Sequence, residues 1–205
     1  MSSSLLSRIL NTTAAFLLLV AAATPLFAQA PDAEIRTLLQ QRDASIKALL
    51  GPKGSDVPAG KKDELRNVVN GFLDFEEMAK DALGPHWDGL SADQRSHFVV
   101  VFSDIVRAQS LANLDPYRAA VNYKSIAVDG AAADVVTTTV IDDVPMEVAY
   151  RLLKKGDTWK ATDIILDDVS TVQGYSRSFR TMIRKAGFDT LMERLEKRRE
   201  SLSTD

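Results

Sequence analysis

The sequence predicts an α+β domain: one antiparallel sheet with helices on its dry face. Three observations predict it. Apolar residues recur at helical spacing from residue 32 to about 115. The period then drops to two, in four β-branched runs between 123 and 166. Helical spacing returns from 170 onward. Helices, then a meander, then helices is the order of a sheet whose helices gather on one face. With 205 residues, 45% hydrophobic and 26% charged, the chain has the composition of an ordinary globular protein.

Residues 1–30 read as an export signal ahead of a single domain, 31–205. They hold one charge, Arg8, and no acid; residues 9–23 are apolar apart from Asn11, Thr12 and Thr13. Ala28-Gln29-Ala30 then supplies the small residues of a cleavage site, after Ala30 or alternatively after Ala28. The apolar run is short for a membrane span.

Residues 32–50 place Ile35, Leu38, Leu39, Ile46, Leu49 and Leu50 on one stripe, a helix that Gly51-Pro52 ends. Residues 51–60 form a Gly- and Pro-containing loop. A shorter helix covers 61–72. Asp74 with Glu77 caps a third helix, which buries Phe75, Met78, Ala79, Ala82 and Leu83 before Gly84-Pro85. Ser91 with Gln94 caps a fourth, up to Pro116. It carries Phe98, Val99, Val100, Val101, Phe102, Ile105 and Val106, so it must be covered on more than one side.

The four runs at 123–128, 133–141, 146–153 and 158–166 form an antiparallel meander. Asp129-Gly130 and Gly156-Asp157 mark tight turns, and residues 142–145 make the middle connection. Met146, Val148, Tyr150 and Leu152 share the dry face; Glu147 and Arg151 share the wetter one. Ser170 with Gln173 opens a helix that buries Val172, Tyr175, Phe179 and Ile183. Gly187 breaks it, and Asp189 opens the last helix, with Leu191, Leu195 and Leu202 facing inward.

Several function classes fall away. A net charge of −3 offers no basic excess for nucleic acid. With no cysteine there is no disulfide, catalytic thiol, thiolate metal site or lipid-anchored cysteine. His86 and His97 lack metal-binding spacing. The stretch 54–62, GSDVPAGKK, has one residue too many between its glycines for a phosphate-binding loop, and Lys62 where Ser or Thr should stand. Asp142-Asp143 and Asp167-Asp168 read as turn and cap chemistry, and Lys197-Arg198-Arg199 as a solvated helix end. On periodicity alone, the many inward aromatics read as plain core.

Two segments carry a resemblance. In 74–102, Asp74, Phe75, Met78 and Ala79 are followed by Leu83-Gly84, Trp87, then Leu90, Ser91, Gln94, Arg95, Phe98 and Phe102. In 159–195, Trp159-Lys160, Asp163, Val169-Ser170, Tyr175, Phe179 and Gly187 follow in order. The set resembles the MlaC-type periplasmic phospholipid-binding proteins, the toluene-tolerance auxiliary ABC-transport family. The chain departs from that pattern at Asp168, Gly174 and Ser110.

The resemblance implies a curved four-stranded antiparallel sheet with helices packed on one face, enclosing an apolar cavity for acyl chains. It implies a non-enzymatic, monomeric periplasmic carrier with no metal and no cofactor, phospholipid being its bound ligand. Its partners would be an inner-membrane MCE-domain ABC transporter complex and an outer-membrane lipoprotein complex. The candidate cavity residues are Phe72, Phe75, Met78, Leu83, Trp87, Phe98, Phe102, Val148, Tyr150, Ile165, Val172, Tyr175, Phe179 and Ile183. Two rival readings stand beside it. One is an exported enzyme using Asp163 or Tyr150; the other is an adaptor protein with a filled core.

Overall fold

The change of period near residue 120 is a change of layer in the computed structural model, which describes residues 30–203. The expected export signal, apart from Ala30, lies outside the described residues. Four helices come first: α1 (Pro31–Leu50), α2 (Lys62–Asn70), α3 (Phe75–Leu83) and α4 (Ala92–Ala112). The strands follow: β1 (Asn122–Asp129), β2 (Ala132–Ile141), β3 (Val144–Lys155), β4 (Thr158–Leu166) and β5 (Val169–Ser170). The last helix, α5 (Thr171–Ser203), is broken at Gly187, whose φ of 84° suits glycine.

Three of the expected caps form. Asp74 accepts from the Glu77 N–H, Ser91 and Gln94 cap each other reciprocally, and Ser170 accepts from the Gln173 N–H at 3.0 Å. Helix α4 ends at Ala112, short of Pro116, and residues Asp115–Arg118 make a separate 3₁₀ turn. Helix α2 likewise ends at Asn70, because Leu73 leaves it to bridge Ala161 in parallel.

The sheet has five strands in the order β1-β2-β3-β4-β5, which corrects the expected four. The fifth pairs Val169 with Leu166 and Ser170 with Ile165 across Asp167-Asp168. Two residues are too few to show a period, so this strand leaves no trace in the hydrophobic pattern. The connection before β3 is also tighter than expected. Asp142 and Asp143, with φ of 49° and 65°, alone join Ile141 to Val144, so β3 takes in Val144 and Pro145.

Register places Ala133, Val135, Thr137 and Thr139 of β2 opposite Leu152, Tyr150, Val148 and Met146 of β3. This is the face the helices cover. A bulge between Arg151 and Leu152 then resets β4: Ala161 faces Leu152, but Ile164 faces Tyr150. The free edge of β4 is closed at one end by Phe72–Asp74, through hydrogen bonds with Ala161, and at the other by β5.

Candidate functional site

Most of the proposed cavity residues meet in one buried cluster. Met78, Leu83, Phe98 and Phe102 have no exposed surface, and Phe72, Val172 and Phe179 are nearly as buried. Phe75, Trp87, Tyr150, Tyr175 and Ile183 pack against them, partly buried. Between α4 and α5 the rings fill the space themselves. Phe98 stacks on Phe102 at 5.7 Å, and Phe179 meets both edge-on at 5.8 and 6.2 Å. Tyr175 closes this group, 5.1 Å from Phe102, and its hydroxyl donates to Gln109.

Two candidates stand apart. Val148 lies on the helix-covered face, half-buried but outside the packed cluster. Ile165 is a correction. The bulge puts Ile164 on the face of Tyr150, so Ile165 pairs with Ala149 and lies on the opposite face. An inserted residue reverses every later side chain in a strand, and strict alternation cannot reveal it.

The interior is also divided. A second cluster holds Ile46, Leu50, Leu65 and Val69, with Leu111, Leu114 and Tyr117 against it. Helix α1 belongs to both: Ile35 and Leu39 lie in the first, Ile46 and Leu50 in the second. Between them on the same stripe sits Arg42. Its Nη2 donates to the carbonyls of Val68 and Val69 at 2.9 and 3.1 Å, and its guanidinium lies 4.2 Å from the Phe72 ring centroid. Tyr150 packs edge-on against the same Phe72 ring at 6.1 Å.

Burial sets the electrostatics here. It pulls the Arg42 pKa down to about 10, still cationic at neutral pH. It pushes Tyr117 up to about 12, and it raises Tyr150. Tyr123, on the same face, is also raised to about 12 by burial. The phenols therefore stay neutral and do not balance the cation. The reading from sequence passed over Arg42. The signal was available, since residue 42 is three after Leu39 and four before Ile46 on the buried stripe.

Asp163, an enzyme candidate on sequence, is buried but occupied. One oxygen accepts from the Ser170 hydroxyl at 2.6 Å and the other from the Val172 N–H at 3.1 Å. It anchors the start of α5, where a carboxylate suits the free N–H groups. Two clefts open elsewhere. One of about 360 Å³ lies between the end of α1 and the β2–β3 turn, lined by Lys47, Lys53, Arg118 and Asp142 among others. The other, about 270 Å³, is lined by Asp81, Arg151, Asp163 and Arg180 among others. Both are rimmed by charge, and of the candidate cavity residues only Val172, in the second, lines either. Among the described residues there is no group of three or more metal-ligating side chains, and no helix is long and apolar enough to cross a membrane.

The class defined by these features is a helix-covered antiparallel sheet whose interior is packed at one end and divided around an arginine at the other. More particularly, the chain belongs to the MlaC family: the model of that family, described as MlaC protein, matches residues 40–197. It is 20% identical over 139 residues to the intermembrane phospholipid transport system binding protein MlaC of Haemophilus influenzae. That match covers 64% of this chain and spans 65% of the length of that relative. The fold is similar to that of a phospholipid-binding protein from Ralstonia solanacearum, solved in complex with a phospholipid. The TM-score is 0.69 at 22% identity, covering 84% of this chain and 98% of the other.

Proposed function

We propose that the chain is a non-enzymatic phospholipid carrier of the periplasm. It shields acyl chains between sheet and helices and passes lipid between an outer-membrane lipoprotein complex and an inner-membrane MCE-type ABC transporter. It works as an exported monomer, freed from residues 1–30.

The observation that carries this reading is the unfinished end of the helix-covered face. Val148 and Met146 are only partly covered, and Leu166, which faces Val148, is 44% exposed. Apolar surface left open inside a fold is surface that a ligand can cover. The family membership supports the reading, as does the phospholipid bound to the Ralstonia protein. A diacyl lipid has about 30 methylenes, each costing about 0.8 kcal/mol in water. A carrier must therefore cover nearly all of both chains, and it needs apolar side chains more than polar ones. In this reading Phe72, Tyr150 and Val148 border the tails, while Phe98, Phe102 and Phe179 back them as core.

Native mass spectrometry of the mature protein from a Gram-negative periplasm tests this, with lipid extraction alongside. The expected result is one bound diacyl phospholipid per chain. An apo mass that persists after incubation with liposomes overturns the carrier and selects the filled-core adaptor, for which the closed ring cluster speaks.

A further inference from the structure

Arg42 occupies a half-buried position on the apolar stripe of α1, where a charge is costly unless something pairs with it. It has no carboxylate partner among the described residues. The neighbouring Asp43 is held by Lys47 at 2.8 Å. Part of the guanidinium serves the fold. Nη2 tops the last turn of α2 through the Val68 and Val69 carbonyls, which no helical N–H can reach. That uses two of five N–H groups. The Nε hydrogen and both Nη1 hydrogens find no acceptor among the described residues.

The Tyr150 hydroxyl stands in the same position. Its ring is packed on Phe72, and its oxygen, which is not closed off from water, has no hydrogen-bond partner among the described residues. The remaining neighbours do not neutralise Arg42. Tyr117 donates its proton to the Ser110 carbonyl at 2.9 Å, and burial keeps the phenols uncharged. So unused donors and one uncompensated positive charge lie between two apolar clusters, beside the half-covered Val148.

From this arrangement we infer that Arg42 and the Tyr150 hydroxyl together form a site for the anionic phosphodiester oxygens of the lipid, making this a carrier that selects lipid with a charged head over neutral lipid with the same tails. The inference rests on the carrier reading and deepens it. An anion attached to an apolar body meets both halves of the junction. The chains cover the open sheet end, and the oxygens take the free N–H and O–H groups. Inorganic phosphate shares the second half of that chemistry only.

The test uses the mature protein incubated with vesicles of phosphatidylglycerol holding an equal amount of diacylglycerol with matched chains. The protein is re-isolated and its lipid is extracted and weighed by mass spectrometry. Wild type should hold phosphatidylglycerol over diacylglycerol by at least about tenfold, the scale of one charged hydrogen bond. Arg42→Met keeps the apolar stem and should carry both lipids near parity. Tyr150→Phe removes a hydroxyl that bonds nothing in the protein; it should fold as wild type and lose the preference by a few-fold. It carries the test alone if Arg42→Met does not fold. Uptake of neither lipid by wild type would sink the carrier reading itself. Uptake of both without preference, or a preference intact in the variants, would sink this inference and leave the carrier standing. Arg42-dependent stabilisation by inorganic phosphate without lipid would make the junction a free-anion site and overturn the lipid assignment.

Discussion

The interior between α4 and α5 and the interior beside α1 are built from similar residues and end in opposite states. In the first, Phe98, Phe102 and Phe179 pack ring against ring, and Leu191 and Leu195 of the last helix are buried in the same cluster. In the second, Phe72 meets only the Tyr150 ring and the Arg42 guanidinium, and the sheet runs on to Met146, Val148 and Leu166 without being fully covered. The difference separates two roles that hydrophobicity alone confounds. Side chains that satisfy each other hold the fold. Side chains left half-satisfied are where a ligand gains by binding, since its burial adds contacts the protein does not already have.

The sharpest way to break that comparison is at Phe102. Truncating a fully buried ring leaves a cavity among rigid neighbours, so Phe102→Ala should destabilise folding by about 3–5 kcal/mol. Urea unfolding measures it, and any lipid bound by the folded fraction should keep its composition. A loss under about 1 kcal/mol would mean the ring cluster is loose, and that the closed half is not closed.

The converse belongs to Val148, which is half-buried and outside either cluster. Val148→Asp should change unfolding free energy by about 1 kcal/mol or less, because its head can reach water. Lipid uptake from liposomes should fall at least tenfold, since a carboxylate would be buried against acyl chains. Unchanged uptake would move the tails off this face. Loss of folding would place Val148 with the core.

What the sequence made legible follows from what a period can carry. Strands β2 to β4 and the helix break at Gly187 were plain, because alternation and a lone glycine are local signals. The burial of Phe98, Phe102 and Phe179 was plain too, but a ring that is core and a ring that lines a ligand have the same hydropathy. Ile165 was grouped with the cavity residues because the extra residue at the β4 bulge, which leaves it on the opposite face, has no mark in the pattern. Arg42 was missed for a related reason: a charge on an apolar stripe looks like a gap in the stripe. Only the fold brings Phe72, with Tyr150 from a distant segment packed on its ring, against it.

The smallest expected effect lies at the tip of the open end. Asp142 and Asp143 form a two-residue hairpin turn with both φ angles positive, a conformation that costs most L-residues about 1–2 kcal/mol and aspartate less. Asp142 is held there by Lys53, 2.8 Å away. Asp143 stands at the second turn position, where glycine is the favoured residue. Asp143→Gly should therefore relieve strain, with part of the gain lost to the greater freedom of glycine in the unfolded chain. The net expectation is a gain of about 0.5 kcal/mol by urea unfolding, with phosphatidylglycerol uptake unchanged. The twin turn sets the control: Asp168, at φ of 64°, is the second residue of Asp167-Asp168, and Asp168→Gly should behave alike. If either turn stabilises the fold but alters uptake, the strained aspartates belong to the ligand end of the molecule. If neither alters it, the open end is defined by Val148, Tyr150 and Arg42, and the turns only close the strands beyond them.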